Sequence, residues 1–279
     1  MALWGLGLPL GIISLLSIFF VIVALLKKIK KILKNFRSLN NKDIILIILI
    51  STALAIFIYQ GLQFAKPVRY FITIYPLLSL MSGYFLVEML KLGLTKTLKI
   101  WLSTIYCFLF VVFLIWPLAF FSIYTRPHSR IQASDWIYAN ITYGSTLGVE
   151  HWDDALPLSL DAQRNYSFYQ LEELPMFAED SEEKWKILEE KFKKIDYIVI
   201  TSNRAYGSVP RLPEKYPKTI NYYRDLFANK LNFKKIAEFT SRPTFFGFEF
   251  IDDNADEVFT VYDHPKVSIF KKQEIVKVE

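Results

Sequence analysis

Four long apolar stretches constrain this chain more than any other feature. "LWGLGLPLGIISLLSIFFVIVALL" occupies residues 3–26, and three more follow at about 44–65, 70–90 and 99–121. A helix needs about 20 mostly apolar residues to cross a bilayer's hydrocarbon core. All four stretches meet that length, so four transmembrane helices are expected in a region covering 1–125. The first is too long for a signal-peptide core. No basic residue precedes it and no small-residue cleavage site follows it, so it reads as a retained span. Pro76 and Pro117 lie within spans and predict kinks.

The charges divide sharply along the chain. Residues 1–125 carry twelve Lys/Arg and two Asp/Glu, whereas residues 126–279 carry twenty-one and twenty-five. The basic excess sits in short loops between apolar stretches, which argues against a nucleic-acid-binding face. Seven Lys/Arg fall in 27–43 and three in 91–99, against two in the loop containing Lys66 and Arg69. The positive-inside rule then makes the first two loops cytoplasmic. An integral cell-membrane protein is expected, with its N-terminus and C-terminal region outside. Glu88, near a cytoplasmic end, reads as a residue that snorkels to the interface. Cys107 lies in an apolar run and has no second cysteine to pair with.

Residues 126–279 alternate helix and strand signals. "SRIQASDWIYANI", "SEEKWKILEEKFKKI" and "KTINYYRDLFANKL" read as helices. In the second, Trp185, Leu188, Phe192 and Ile195 share one side, and Glu189–Lys193 and Glu190–Lys194 have the i,i+4 spacing of ion pairs. In the third, Ile220, Tyr223, Phe227 and Leu231 form the apolar side. "TLGVEH", "DYIVIT", "FKKIAEF", "FFGFEFI" and "KVSIF" read as strands. Strand–helix–strand order predicts a small extracytoplasmic α/β domain with at least a partly parallel sheet. No Gly-x-Gly-x-x-Gly, Walker-type or Gly-x-Ser-x-Gly motif is present, so no nucleotide or serine-hydrolase site follows from motifs.

Several stretches offer chemistry. "VEHWDDALPL" places Glu150, His151, Asp153 and Asp154 after a strand. His151, Asp153 and Asp154 could hold a divalent metal, and Asp153 or Asp154 could act as an acid or base. The plainer alternative is a loop whose acids cap turns, since short acidic clusters match many loops by chance. "SNRAYGSVPRLPEKYP" could bind an anionic or sugar ligand through Arg204, Tyr206, Arg211 and Tyr216, or lie on the membrane surface. "TVYDHPKV" reads as a turn fixed by Asp263 and Pro265. "NIT" (140–142) and "NYS" (165–167) match the glycosylation acceptor pattern. In "KPVRYFITIYP", Lys66 and Arg69 lie at the outer interface. A point charge beside a guanidinium fork suits a phosphate there, and Tyr70 can stack on a sugar or anchor the interface. Ordinary snorkelling to lipid phosphates is the alternative.

The order of parts resembles the end of GT-C class membrane glycosyltransferases, above all family 39, relatives of the dolichyl-phosphate-mannose and aminoarabinose transferases. The resemblance is carried by "WGLGLPLG" (4–11), "KPVRYFITIYPLLSL" (66–80), "SRIQASDWIYANITYGSTLGVEHWDDALPL" (129–158), "DYIVITSNRAYGSVPRLPEKYP" (196–217) and "FTVYDHPKV" (259–267). It implies a polyprenyl-phosphate-linked sugar donor at the outer membrane face, with Arg69 and Lys66 facing the carrier phosphate. It also implies a catalytic acid in a first outside loop, and no Asp or Glu occurs here before Asp43. The chain is therefore expected to be the C-terminal portion of a longer enzyme, or to work with a separate partner subunit. A non-enzymatic, membrane-anchored glycan- or partner-binding protein is the main alternative. A metal-dependent hydrolase is the third.

Overall fold

The computed structural model describes residues 4–29, 40–63, 68–91 and 95–273. The chain divides into two compact units, Met1–Ala119 and Phe120–Glu279. The division falls slightly before the boundary expected at 125.

Among the described residues, four helices are long and apolar enough to cross a membrane. They are α1 (Leu8–Leu26), α2 (Asn41–Leu62), Arg69–Lys91, whose α-helical part is α3 (Tyr75–Lys91), and Lys96–Asn140, whose first part is α4 (Lys96–Phe121). Gly7 opens α1 at φ 74, a conformation glycine adopts without steric cost. A Cβ there would approach the Trp116 ring to 3.0 Å. Asn40 caps α2 by accepting the Asp43 N–H at 2.8 Å, which starts that helix earlier than the apolar run alone suggests.

α1 meets α3 through small residues. Gly11, Ser14 and Ser17 are buried on α1 and Ser82 on α3, and the Ser14 and Ser82 hydroxyls lie 3.2 Å apart. Small side chains permit close helix approach where lipid removes the hydrophobic drive to associate. One end of this unit gathers charge. Lys28 pairs with Asp43 at 2.6 Å, and Lys42 and Lys91 hold Glu88 at 2.9 and 3.0 Å. Glu88 is thus held by two lysines as well as lying near a helix end.

The third apolar segment begins as a 3-10 turn, Val68–Ile74, before α3 proper. Pro76 falls in the first turn of α3, where a missing N–H breaks no helical bond. It marks the change from 3-10 to α geometry, whereas a kink within the span was expected. Pro117 does lie inside α4.

The second unit is a C-terminal α/β region with a mixed sheet. A 3-10 turn, Ser122–Thr125, leads to α5 (Ser129–Asn140), β1 (Thr146–Glu150), β2 (Gln170–Leu174), α6 (Glu182–Lys194) and β3 (Tyr197–Ile200). Then come α7 (Pro217–Phe227), β4 (Phe233–Phe239), the short strands β5 (Thr244–Phe245) and β6 (Phe248–Glu249), α8 (Glu257–Thr260) and β7 (Val267–Lys272). The five-stranded sheet runs β2-β1-β3-β7-β4. β1 is parallel to β2 and β3, while β7 is antiparallel to β3 and β4.

Strand alternation feeds two cores. Leu147, Val199 and Ile269 pack with Ala133 and Ile137 of α5. Ile198, Ile200 and Phe270 pack with Leu188 of α6 and Tyr222, Tyr223 and Leu226 of α7. The sheet is therefore sandwiched between helices. Gly148 is required for close packing, because a Cβ there would meet Ile195 Cδ1 at 2.7 Å. Ser181 caps α6 through the Lys184 N–H, and Asp180 accepts the N–H groups of Lys218 and Thr219 at the start of α7.

Three expectations need correction. "FFGFEFI" is not one strand. It folds as the β5–β6 hairpin, apart from the main sheet, because Phe246 (φ 46) and Gly247 (φ 84) reverse the chain. The helix expected through Leu231 stops at Phe227, with Asn229 at φ 53. Among the described residues the ion pairs of α6 join Lys184 to Asp180, Lys191 to Glu172 and Glu182 to Lys218. The pairs Glu189–Lys193 and Glu190–Lys194 are not among them.

Candidate functional site

In the apolar unit, Arg69 and Tyr70 sit on the 3-10 turn that leads into α3. Both are exposed, and the guanidinium carbon lies 5.4 Å from the centre of the Tyr70 ring. A planar cation over an aromatic face is attracted by the ring quadrupole. That contact orients a fork of N–H donors beside a hydroxyl-bearing ring. Lys66 lies outside the described residues.

In the second unit, a polar cluster forms at the carboxyl ends of β1 and β3. The chain leaves β1 for β2 on one side and returns through α6 to β3 on the other. Open α/β sheets hold ligands at such switch points. The structure brings Asp153 and Asp154 onto one guanidinium: Arg130, from the first turn of α5, reaches Asp153 at 2.8 Å and Asp154 at 2.5 Å. Asp153 also accepts the Ser202 hydroxyl, and Ser202 Oγ accepts the Arg204 N–H at 3.1 Å. The Asp153 side chain is 1% exposed and that of Asp154 70%. His151 is turned to Glu173 on β2. Among the described residues no group of three or more His, Cys, Asp and Glu could hold a metal ion. Arg130 engages Asp153 Oδ1 and Asp154 Oδ2, and Ser202 engages Asp153 Oδ2.

Glu150 closes β1 and is buried against α7. Burial pushes its carboxyl up to about 8, and the hydrogen bond from Tyr223 pulls it back only in part. That bond is 2.5 Å to Oε1, while Oε2 has no hydrogen-bond partner among the described residues. A buried carboxyl without a cation escapes the desolvation cost by staying protonated. Burial likewise raises Tyr223 and Tyr206. The arrangement is a neutral acid beside phenols, in the same unit as an Arg–Asp–Ser chain in which Arg130 Nε has no hydrogen-bond partner among the described residues.

The four residues expected to form a ligand loop make contacts within the unit. Arg204 donates to the Trp152 carbonyl at 2.6 Å and lies 3.9 Å from Glu257. Arg211 pairs with Asp256 at 3.3 Å. Both arginines thus reach the start of α8. Tyr206 packs on Tyr223 and Phe227, and the Tyr216 hydroxyl donates to the Phe177 carbonyl at 3.0 Å. Both tyrosines are partly buried against the core between the sheet, α6 and α7.

One pairing is not visible in the sequence. His264 Nε2 lies 2.6 Å from Asp252 Oδ2, with both side chains buried. His264 was expected in a simple turn; the ring is instead flanked edge-on by Phe120 and Phe259. Asp263 beside it accepts the Tyr124 hydroxyl at 2.8 Å. A small cavity, lined among others by Asn203, Arg242, Thr260 and Lys266, adjoins the pair. An aspartate twelve residues upstream of a histidine gives no local signal; only the loop between β6 and β7 joins them.

No protein-family model, curated protein or solved structure matches the chain.

Proposed function

We propose that the chain serves a lipid-carrier-dependent glycosyltransferase of the GT-C class. It would supply the carrier-phosphate site and an α/β domain on the non-cytoplasmic side of the cell membrane. The observation that carries this is the placement of Arg69 and Tyr70, exposed and stacked on the turn that leads into α3. The excess of Lys/Arg in 27–43 and 91–99 sets that turn at the outer face. A guanidinium fork matches phosphate oxygens, and Lys66, three residues earlier, adds a second cation. The leaving group of such a transfer is an anionic lipid phosphate. Cations beside it stabilise the charge that develops as the glycosidic bond breaks. The substrate is a polyprenyl-phosphate-linked sugar, and the bilayer is an obligatory partner.

The described acids of the apolar unit, Asp43 and Glu88, are held by lysines at the other end. The acid the family uses is then supplied by an N-terminal membrane portion or a partner subunit. Arg69→Ala, in the protein joined to that portion, is expected to lower transfer by about 10²–10³-fold while insertion is unchanged. Undiminished transfer would overturn the assignment.

One observation favours a second reading, in which the α/β domain is a non-enzymatic binding module for glycan or a protein partner. Asp153 and Asp154, the acids the sequence offers for catalysis in this domain, are tied to Arg130. In that case Arg69→Ala leaves partner binding intact, and catalysis by the assembled protein is not found.

A further inference from the structure

We propose that the β5–β6 hairpin inserts into the lipid interface, as a second membrane contact beyond the four apolar helices. The hairpin tip is Phe246–Gly247, both at positive φ. A two-residue turn of this kind is normally built from Asn-Gly or Asp-Gly, because a bulky side chain is strained there. Phe246 is disfavoured a second time by water, since it is 88% exposed. Phe248 in the hairpin and Ile251 two residues past its end are 75% and 68% exposed. An aromatic side chain held in a strained turn, in contact with the Phe245 ring at 4.6 Å but mostly open to solvent, calls for an apolar surrounding.

The location identifies the occupant. The Thr244 N–H donates to Ser122 Oγ at 2.9 Å, and the Arg126 guanidinium donates to the Arg242 carbonyl. Ser122 directly follows Phe121, the last residue of apolar α4. The hairpin is therefore tied to the chain where it leaves the longest apolar helix. If α4 crosses the bilayer, Ser122 lies at headgroup depth, and so does the hairpin fastened to it. The same place carries an exposed Tyr124 and an exposed Arg126. Tyrosine and arginine are favoured at that depth, the first for its amphipathic ring and the second for lipid phosphates. The occupant is the headgroup–acyl boundary of a bilayer.

This inference rests on α4 being a membrane span, and the test separates the two. An environment-sensitive fluorophore is attached to Cys107 in the native chain. In a Cys107→Ser background it is attached to Phe246→Cys, Phe248→Cys or Lys186→Cys. Each full-length protein is reconstituted in phosphatidylcholine–phosphatidylglycerol vesicles containing nitroxide lipids. Deep nitroxides are expected to quench position 107, shallow nitroxides to quench 246 and 248, and neither to quench 186, which is exposed on α6. Quenching at 107 with 246 and 248 behaving like 186 would overturn the hairpin proposal and leave the span standing. No quenching at 107 would remove the span and the proposal with it.

Discussion

The two units place apolar side chains by opposite rules. In the first, the candidate spans turn most of their surface outward: only 6% of the fourth span's apolar window and 28% of the third's are buried within the protein. What is buried there includes the small hydroxyl residues Ser14, Ser17 and Ser82 beside apolar ones such as Ile50, Leu78 and Met81. In the second, β3 buries Ile198, Val199 and Ile200 completely, and charged α6 hides Leu188. Burial from water drives the second unit's packing. It cannot drive the first if its surroundings are lipid, and close contact between small residues takes its place.

Substitutions of the same kind should therefore have unequal effects in the two units. The largest is expected from Arg130→Met. It leaves Asp153 as a buried charge without its cation, and removing one member of such a pair costs about 3–5 kcal/mol. Urea unfolding of the full chain in detergent, followed through the α/β unit's aromatic circular dichroism, reads this directly. An unchanged midpoint would show that the strand-end cluster does not hold the unit together.

Glu150→Gln should come next, and its effect should depend on pH. Burial holds the folded carboxyl at about 8, against an ordinary 4.5. The folded state then binds the extra proton between those values. Its stabilising contribution is complete below about pH 4.5 and is lost as pH rises through 8, amounting to a few kcal/mol at most. Glutamine keeps the neutral shape, so the variant should lose this slope and be the more stable protein above pH 8. Identical slopes in the two proteins would contradict a protonated Glu150.

Ser82→Ala should matter least. Hydrogen bonds between membrane helices average about 0.6 kcal/mol, and Ser82 also donates to the Leu78 carbonyl within its own helix at 2.8 Å. Steric-trap unfolding in bicelles can resolve a change of that size. A loss comparable to that of Arg130→Met would mean that polar contacts, and not close apposition, join α1 to α3.

Much of this was legible before the structure. The apolar runs are long enough to be unambiguous, and Leu188 with Trp185 and Phe192 repeats at the helical period. What escaped was non-local or irregular. β2, "QLEEL", has charged residues on an edge strand and lacks the continuous apolar run of β3. The hairpin was hidden because Phe245, Phe246 and Phe248 read as strand residues, although Gly247 permits reversal there. At the candidate sites, Asp153 and Asp154 were visible as a cluster. Their pairing was not, since Arg130 stands more than twenty residues earlier and is brought to them only by the packing of α5 on the sheet. The Asp252–His264 pair and the burial of Tyr206 and Tyr216 likewise depend on tertiary contacts.

The central claim is that the turn at Arg69 receives a carrier phosphate. Its most direct test is binding of a polyprenyl phosphate to the full chain in nanodiscs, measured by native mass spectrometry for wild type, Arg69→Ala and Arg69→Lys. The wild-type chain is expected to retain the lipid phosphate in preference to the bulk anionic lipid. Arg69→Lys should weaken that binding, because lysine keeps the charge and loses the fork, and Arg69→Ala should lower the affinity at least tenfold, about 1.4 kcal/mol. Equal retention by all three proteins would contradict it.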